Sequence, residues 1–214
     1  MTNAHGTHLI PYPEATMELE RRARLAGGIG IAAGIVWLVN WTYLLAVDAA
    51  ERTAGWYAGE IIAATAILGT AALAGGLWWV RAGGTGWLAR TALAAWTVGW
   101  LLVFGGAMIL IATGTQDNPL FPIGGILGTL AGMVSGIVIV RADVLDGWRR
   151  WMPLTWALWY GLVLGAVMAL AEHTWLATAA ELVQYLLILL TGAGLATARL
   201  TYRVPAGTLE PAAR

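Results

Sequence analysis

Six stretches of about twenty mostly apolar residues dominate this chain, and no other feature restricts its fold so strongly. A helix needs roughly 20 such residues to cross about 30 Å of hydrocarbon, and within lipid each backbone amide must find its partner inside the spanning element. The stretches fall at about 24–47, 58–80, 88–112, 119–140, 153–172 and 179–200. With 59% hydrophobic and only 11% charged residues, the chain lies far from the ~25% charged content of a soluble domain. The expected fold is an all-α, single-domain bundle of six transmembrane helices (24–203), with polar tails at 1–23 and 204–214. Residues 1–23 lack the basic start, apolar core and small-residue cleavage site of a secretory signal, so the first apolar run is expected to remain in the mature protein.

Punctuation supports these boundaries. Gly83-Gly84 separates spans two and three, Gly114 can end span three, Asn118-Pro119 supplies a cap and a first-turn proline, and Pro153 opens span five. Short connections predict antiparallel neighbours. Arg21, Arg22, Arg24, Arg81, Arg90, Arg141, Arg149, Arg150, Arg199, Arg203 and Arg214 flank one side of the bundle, and Arg52 alone flanks the other. By the positive-inside rule both termini are expected in the cytoplasm, with the protein in the cell membrane. The opposite face carries Asp48, Glu51, Glu60, Asp117, Glu172 and Glu181. Trp78, Trp79, Trp87, Trp148 and Trp151 fit an inner interfacial belt, and Trp56, Tyr57 and Trp175 an outer one.

Composition narrows the chemistry. Net charge is zero, which gives no reason to expect a nucleic-acid partner. All 12 basic side chains are arginine, so a lysine nucleophile or Schiff base is absent. No cysteine is present for thiolate or iron–sulfur chemistry. Only His173 lies outside the N-terminal tail, too few histidines for bis-histidine haem. Ser135 and His173 belong near opposite ends of their helices, too far apart for a serine-protease pair. His5 and His8 read as part of a polar tail. No cofactor or metal is specified, and no phosphate-binding glycine loop appears.

Residues 76–110 align without a gap on 136–170, with identities at 11 of 35 positions, including Arg81/Arg141, Arg90/Arg150 and Trp96/Trp156. This predicts a parallel internal repeat of two-helix hairpins. Gly124, Gly128, Gly132 and Gly136 form one smooth stripe on span four, expected to let a neighbouring helix approach, within the chain or in a second subunit. The pairs Trp37/Trp41, Trp96/Trp100 and Trp156/Tyr160 recur on the odd spans; packing is the leading reading and lining a cavity the other.

Candidate chemistry gathers in AEHTWLATAAELVQY, residues 171–185. Thr178 and Glu181 have the spacing of a capping box, which makes Glu181 first a helix-start residue. Glu60 receives a similar first-turn reading. Glu172 resists it, because a carboxylate in a last turn faces repelling carbonyl dipoles, and His173 stands beside it. If the outer helix ends converge, Asp48, Glu60, Glu172, His173, Glu181, Gln184 and Tyr185 surround one ion- or ligand-binding pocket, with Asn40, Thr42 and Tyr43 a little deeper. Three functions follow. The leading expectation is a small-solute or ion transporter or channel with an acidic outer-face site; a non-catalytic accessory or assembly subunit is next; an enzyme acting on a lipophilic substrate through the outer carboxylates is third. The expected partners are the lipid bilayer and either a second copy or a membrane-complex subunit.

Overall fold

The computed structural model describes residues 13–47, 50–170 and 175–200. Those residues are helical, without strands, apart from an isolated bridge between Leu145 and Leu200. The helices are α1 (Pro13–Ala46), α2 (Ala54–Trp79), α3 (Trp87–Thr113), α4 (Leu120–Ala142), α5 (Met152–Leu158), α6 (Gly165–Leu170) and α7 (Trp175–Ala196); a π-helical segment, Trp159–Leu164, joins α5 to α6. Five helices are long and apolar enough to cross a membrane: Met17–Ala46 of α1, then α2, α3, α4 and α7. The chain is therefore a multi-pass membrane protein.

The helix ends are set by local chemistry. Thr53 caps α2, its side chain accepting from the Trp56 amide at 3.3 Å. Gly114 ends α3 in the left-handed region at φ 69°, its amide returning to Leu110 O. Asn118 Oδ1 accepts from the Leu120 amide at 3.2 Å as α4 begins. Three boundaries differ from the sequence expectation. The helix α1 starts at Pro13, not near residue 24, because Glu18 pairs with Arg21 and Arg22, and Glu20 with Arg24, at helical i,i+3 and i,i+4 spacing. The expected uniform span at 153–172 is instead α5, a π turn and α6. The last helix is already formed at Trp175, ahead of the expected 179.

Each element packs against the next, and α7 closes back on α1, which makes a ring. Along it the small residues are contact points. A Cβ on Gly99 of α3 would stand 2.5 Å from Gly128 N, and one on Gly124 2.7 Å from Gly99 O. One on Gly132 would meet Trp96 at 2.9 Å, and one on Gly136 would meet Leu154 Cα at 2.5 Å. All four glycines of the α4 stripe are thus buried against α3 and α5 of the same chain. In lipid such close approach matters more than hydrophobicity, since the tails outside are as apolar as the core. Leu25, Leu44, Ile61, Ile126 and Leu130 point outward accordingly, and exposed indoles mark both ends: Trp78, Trp79 and Trp87 at one, Trp175 at the other.

Candidate functional site

The ring closes around a cavity of about 150 Å3, which α1, α2, α3, the π segment and α7 line together. Two aromatic pairs form much of the wall. Trp37 of α1 stacks on Tyr185 of α7, with centroids 4.8 Å apart and planes 6° off parallel. Trp100 of α3 meets Tyr160 of the π segment at 5.2 Å. Since α1 and α7 are neighbours, and α3 and the fifth element are the two flanks of α4, the pairs come from two different sides of the ring. Ile67, Val103, Leu164 and Ile188 complete the apolar wall; Glu181 and Gln184 add the polar groups.

The polar groups set this space apart from ordinary core. Gln184 is only 3% exposed, yet neither its Oε1 nor its Nε2 has a hydrogen-bond partner among the described residues. Trp100 Nε1 is likewise unpartnered there. Burying an amide without hydrogen bonds costs on the order of 1–3 kcal/mol, and native structures rarely tolerate it without a reason. Two other polar groups nearby are satisfied. Trp37 Nε1 donates to Thr70 Oγ1 at 3.0 Å, and the Thr70 hydroxyl donates to Ala66 O at 2.8 Å. One turn beyond Trp37, Asn40 is also 3% exposed, with its Oδ1 unpartnered among the described residues.

The π segment shapes one wall. Trp159 Nε1 donates to Ala180 O of α7 at 3.0 Å, tying the segment to the ring. Gly161 brings it so close to α4 that a Cβ would meet the Met133 methyl at 2.6 Å. A side cleft of about 270 Å3, lined by Gly125, Thr129, Gly161 and Gly165, shares Tyr160 and Leu164 with the central cavity. These two side chains are therefore the partition between the spaces. A wide π turn inside a helix recurs at functional sites. Toward the arginine-rich end the cavity has a floor: Leu73, Leu77, Ile188 and Leu195 are almost fully buried one to three turns along α2 and α7.

The sequence-expected residues divide. Glu181, Gln184 and Tyr185 come together on the cavity wall. Glu60 is half-buried on α2 and takes no part in that wall. Asp48, Glu172 and His173 lie outside the described residues. Tyr43 donates to Gly55 O at 2.8 Å and Thr42 to Leu38 O at 2.8 Å, so both hydroxyls serve the backbone. The capping-box reading of Thr178 and Glu181 is corrected: the chain is helical from Trp175, so Thr178 is already within the helix and Glu181 lies beyond the first turn. Glu60 is displaced inward in the same way, since α2 begins at Ala54. Among the aromatic pairs, Trp96 and Trp156 pack on each other at 4.5 Å, whereas Trp37, Trp100 and Tyr160 line the cavity. Gln184 was expected in the pocket from the sequence, but the grouping of Trp37, Trp100 and Tyr160 with it was not, since packing was the leading reading of those rings.

No family model matches the chain, and neither a curated protein nor a solved structure is significantly similar to it. The site must therefore be read from its own chemistry.

Proposed function

We propose that the chain is a six-span transporter of a small organic cation, in the cell membrane with both termini cytoplasmic, and that the central cavity is its substrate site. The observation that carries this reading is the unpartnered, buried Gln184 amide in an aromatic cavity that also holds a carboxylate. Aromatic faces attract a cation through their quadrupoles, by about 0.5–2 kcal/mol per contact depending on how far the site excludes water. Glu181 supplies the opposite charge. Gln184 Oε1 and the free Trp100 indole N–H give one acceptor and one donor for orientation. At about 150 Å3 the space is well under the ~300–1,000 Å3 of drug-sized sites, which favours a substrate of few heavy atoms.

Six crossings are supported by the helical run from Met152 to Leu170, which packs against α4 and α7 as the missing member of the ring. The clustering of Arg22, Arg81 and Arg90 at one end supports the orientation. Transport then requires the leucine floor and the Tyr160–Leu164 partition to open in turn. Glu181 is the group that exchanges: it holds a proton when the cation is absent and releases it when the cation binds, so charge in the low-dielectric cavity stays balanced.

Proteoliposomes with an imposed pH gradient, given radiolabelled tetramethylammonium, test this. Saturable uptake by the wild type is expected, with at least tenfold loss in Glu181→Gln and in Trp100→Ala. Uptake no better than empty vesicles, together with no saturable binding of the same cation to the solubilised protein, would sink the reading.

A further inference from the structure

A second, larger cavity of about 520 Å3 opens at the arginine-rich end, where the start of α1, the end of α2 and the start of α3 meet. Its charged lining is Glu18, Arg22, Arg81 and Arg90. Glu18 is already engaged, accepting from Arg21 at 2.8 Å and from Arg22 at 2.9 Å. The Arg22 guanidinium also lies over the Trp79 ring, 5.1 Å from its centroid. Arg81 and Arg90, in contrast, make no side-chain hydrogen bond or ion pair among the described residues. Three guanidiniums against one carboxylate leave two positive charges uncompensated, and both face one space.

The backbone fits the same ligand. Arg81 and Gly84 take left-handed conformations, at φ 53° and 83°, so the connection turns sharply at the pocket's edge. Directly after Thr85 comes Gly86, the cap of α3, which offers no side chain to the free amides of the first turn. Thr85 and Arg90, on either side of that first turn, line the pocket, so the positive end of the helix dipole lies at its edge and favours an anion. Depth is set by Trp78 and Trp79, which line the pocket and are each about half exposed, as indoles at headgroup level are. A guanidinium keeps its charge at any physiological pH and matches phosphate oxygens with paired N–H donors.

From this convergence we propose that the pocket binds the phosphate of an anionic phospholipid headgroup, with Arg81 and Arg90 as direct ligands and Arg22 shared between the phosphate and Glu18. The site is separate from the central cavity and does not depend on what that cavity carries. Basic pockets between helices at a membrane boundary hold headgroups by this chemistry. An inorganic phosphate ion or a soluble phosphate ester offers the same oxygens, and only the lipid brings acyl chains that can lie along the exposed Leu25 and Ile29 of α1.

Native mass spectrometry of the protein released from nanodiscs containing equal phosphatidylglycerol and phosphatidylcholine decides the matter. Retained phosphatidylglycerol is expected to exceed phosphatidylcholine at least tenfold, and Arg81→Asn/Arg90→Gln should reduce the excess to about twofold or less. Asparagine suits position 81 because it tolerates the left-handed backbone there. Should that pair fail to fold, Arg90→Gln alone, on an exposed position of α3, should still lower retention about threefold. Arg52→Gln, at the other end of α3, should leave it unchanged. Calorimetric titration of the detergent-solubilised protein with inorganic phosphate is the second arm. Saturable phosphate binding without lipid preference would assign the pocket to a soluble anion and overturn the headgroup source; equal retention of the two lipids without phosphate binding, or retention indifferent to both arginine variants, would overturn the site itself.

Discussion

The two halves of the bundle hold the same ring together in opposite ways. Toward the arginine-rich end the backbones touch. A Cβ on Gly192 of α7 would stand 2.5 Å from Ile31 N and 2.6 Å from the Gly30 carbonyl carbon of α1, and Leu73, Leu77, Val80, Ile139 and Leu195 fill what remains. Toward the other end Gly124 still meets Gly99 and Val103, but aromatic rings line the interior, a helix widens into a π turn, and Gln184, Trp100 and Asn40 carry polar atoms without partners among the described residues. In a membrane, apolar side chains gain little by exchanging lipid for protein unless the protein packs better. The tight half therefore supplies association, and the loose half gives some of it up in exchange for a space. Ser135, Trp156 and Arg150 also carry unpartnered buried atoms among the described residues, but Gln184 is the side-chain amide with neither end partnered, and it stands on the wall of a space.

The tight half should not tolerate bulk. Gly192→Leu should cost about 3 kcal/mol or more, the upper range for overpacking, and abolish the monodisperse peak in fluorescence-detected size-exclusion chromatography. Gly28→Leu is the control: on the same helix pair, but with nothing within 4 Å of the added Cβ, it should behave as wild type. Similar behaviour of the two variants would mean that α1 and α7 do not meet as described. A second pair of substitutions separates the halves directly. Leu73→Ala, in the sealed floor, should destabilise by about 2–5 kcal/mol because the cavity left behind cannot collapse. Ile67→Ala removes a similar volume from a wall that already borders a void, and about 1 kcal/mol is expected. Thermal unfolding in one detergent should rank them in that order; the reverse order would place the loose region on the wrong side.

Legibility in the sequence follows the same division. The helix packing was readable because its determinants are local and periodic: four glycines at every fourth position, apolar runs of bilayer length, a proline after an asparagine. The site was less so. Glu181 reads as a capping residue only if Thr178 starts the helix, and nothing in ATAAE excludes that; the start moves outward because the apolar run is already helical from Trp175. Trp37, Trp100 and Tyr160 share the spacing of Trp96 and Trp156, which merely pack. Which indole faces a void depends on where Gly161 and the π turn rotate the fifth element, a tertiary property with no sequence period. Residues 76–110 and 136–170 match at the level of sequence, but only one copy carries the π turn; the aligned Trp100 and Tyr160 both line the wall, and Leu164 joins it from the π segment.

The smallest expected effect on stability is the sharpest test of the whole contrast. Gln184 has no partner for either end of its amide among the described residues, so replacing it with leucine, of nearly the same volume, removes a desolvation cost without opening a hole. Stability should rise by about 1 kcal/mol, a shift of a few degrees in the melting temperature of the solubilised protein, while tetramethylammonium binding falls at least tenfold. A residue that serves the fold cannot give that pair of signs, since its removal lowers stability; a residue that only fills space gives neither. Loss of stability with binding intact would mean that Gln184 finds its partner in a segment beyond the described residues, such as 171–174, and that the amide belongs to the scaffold. Gain of stability with loss of binding is the signature of a polar group kept in the membrane for a ligand, at a standing cost to the fold.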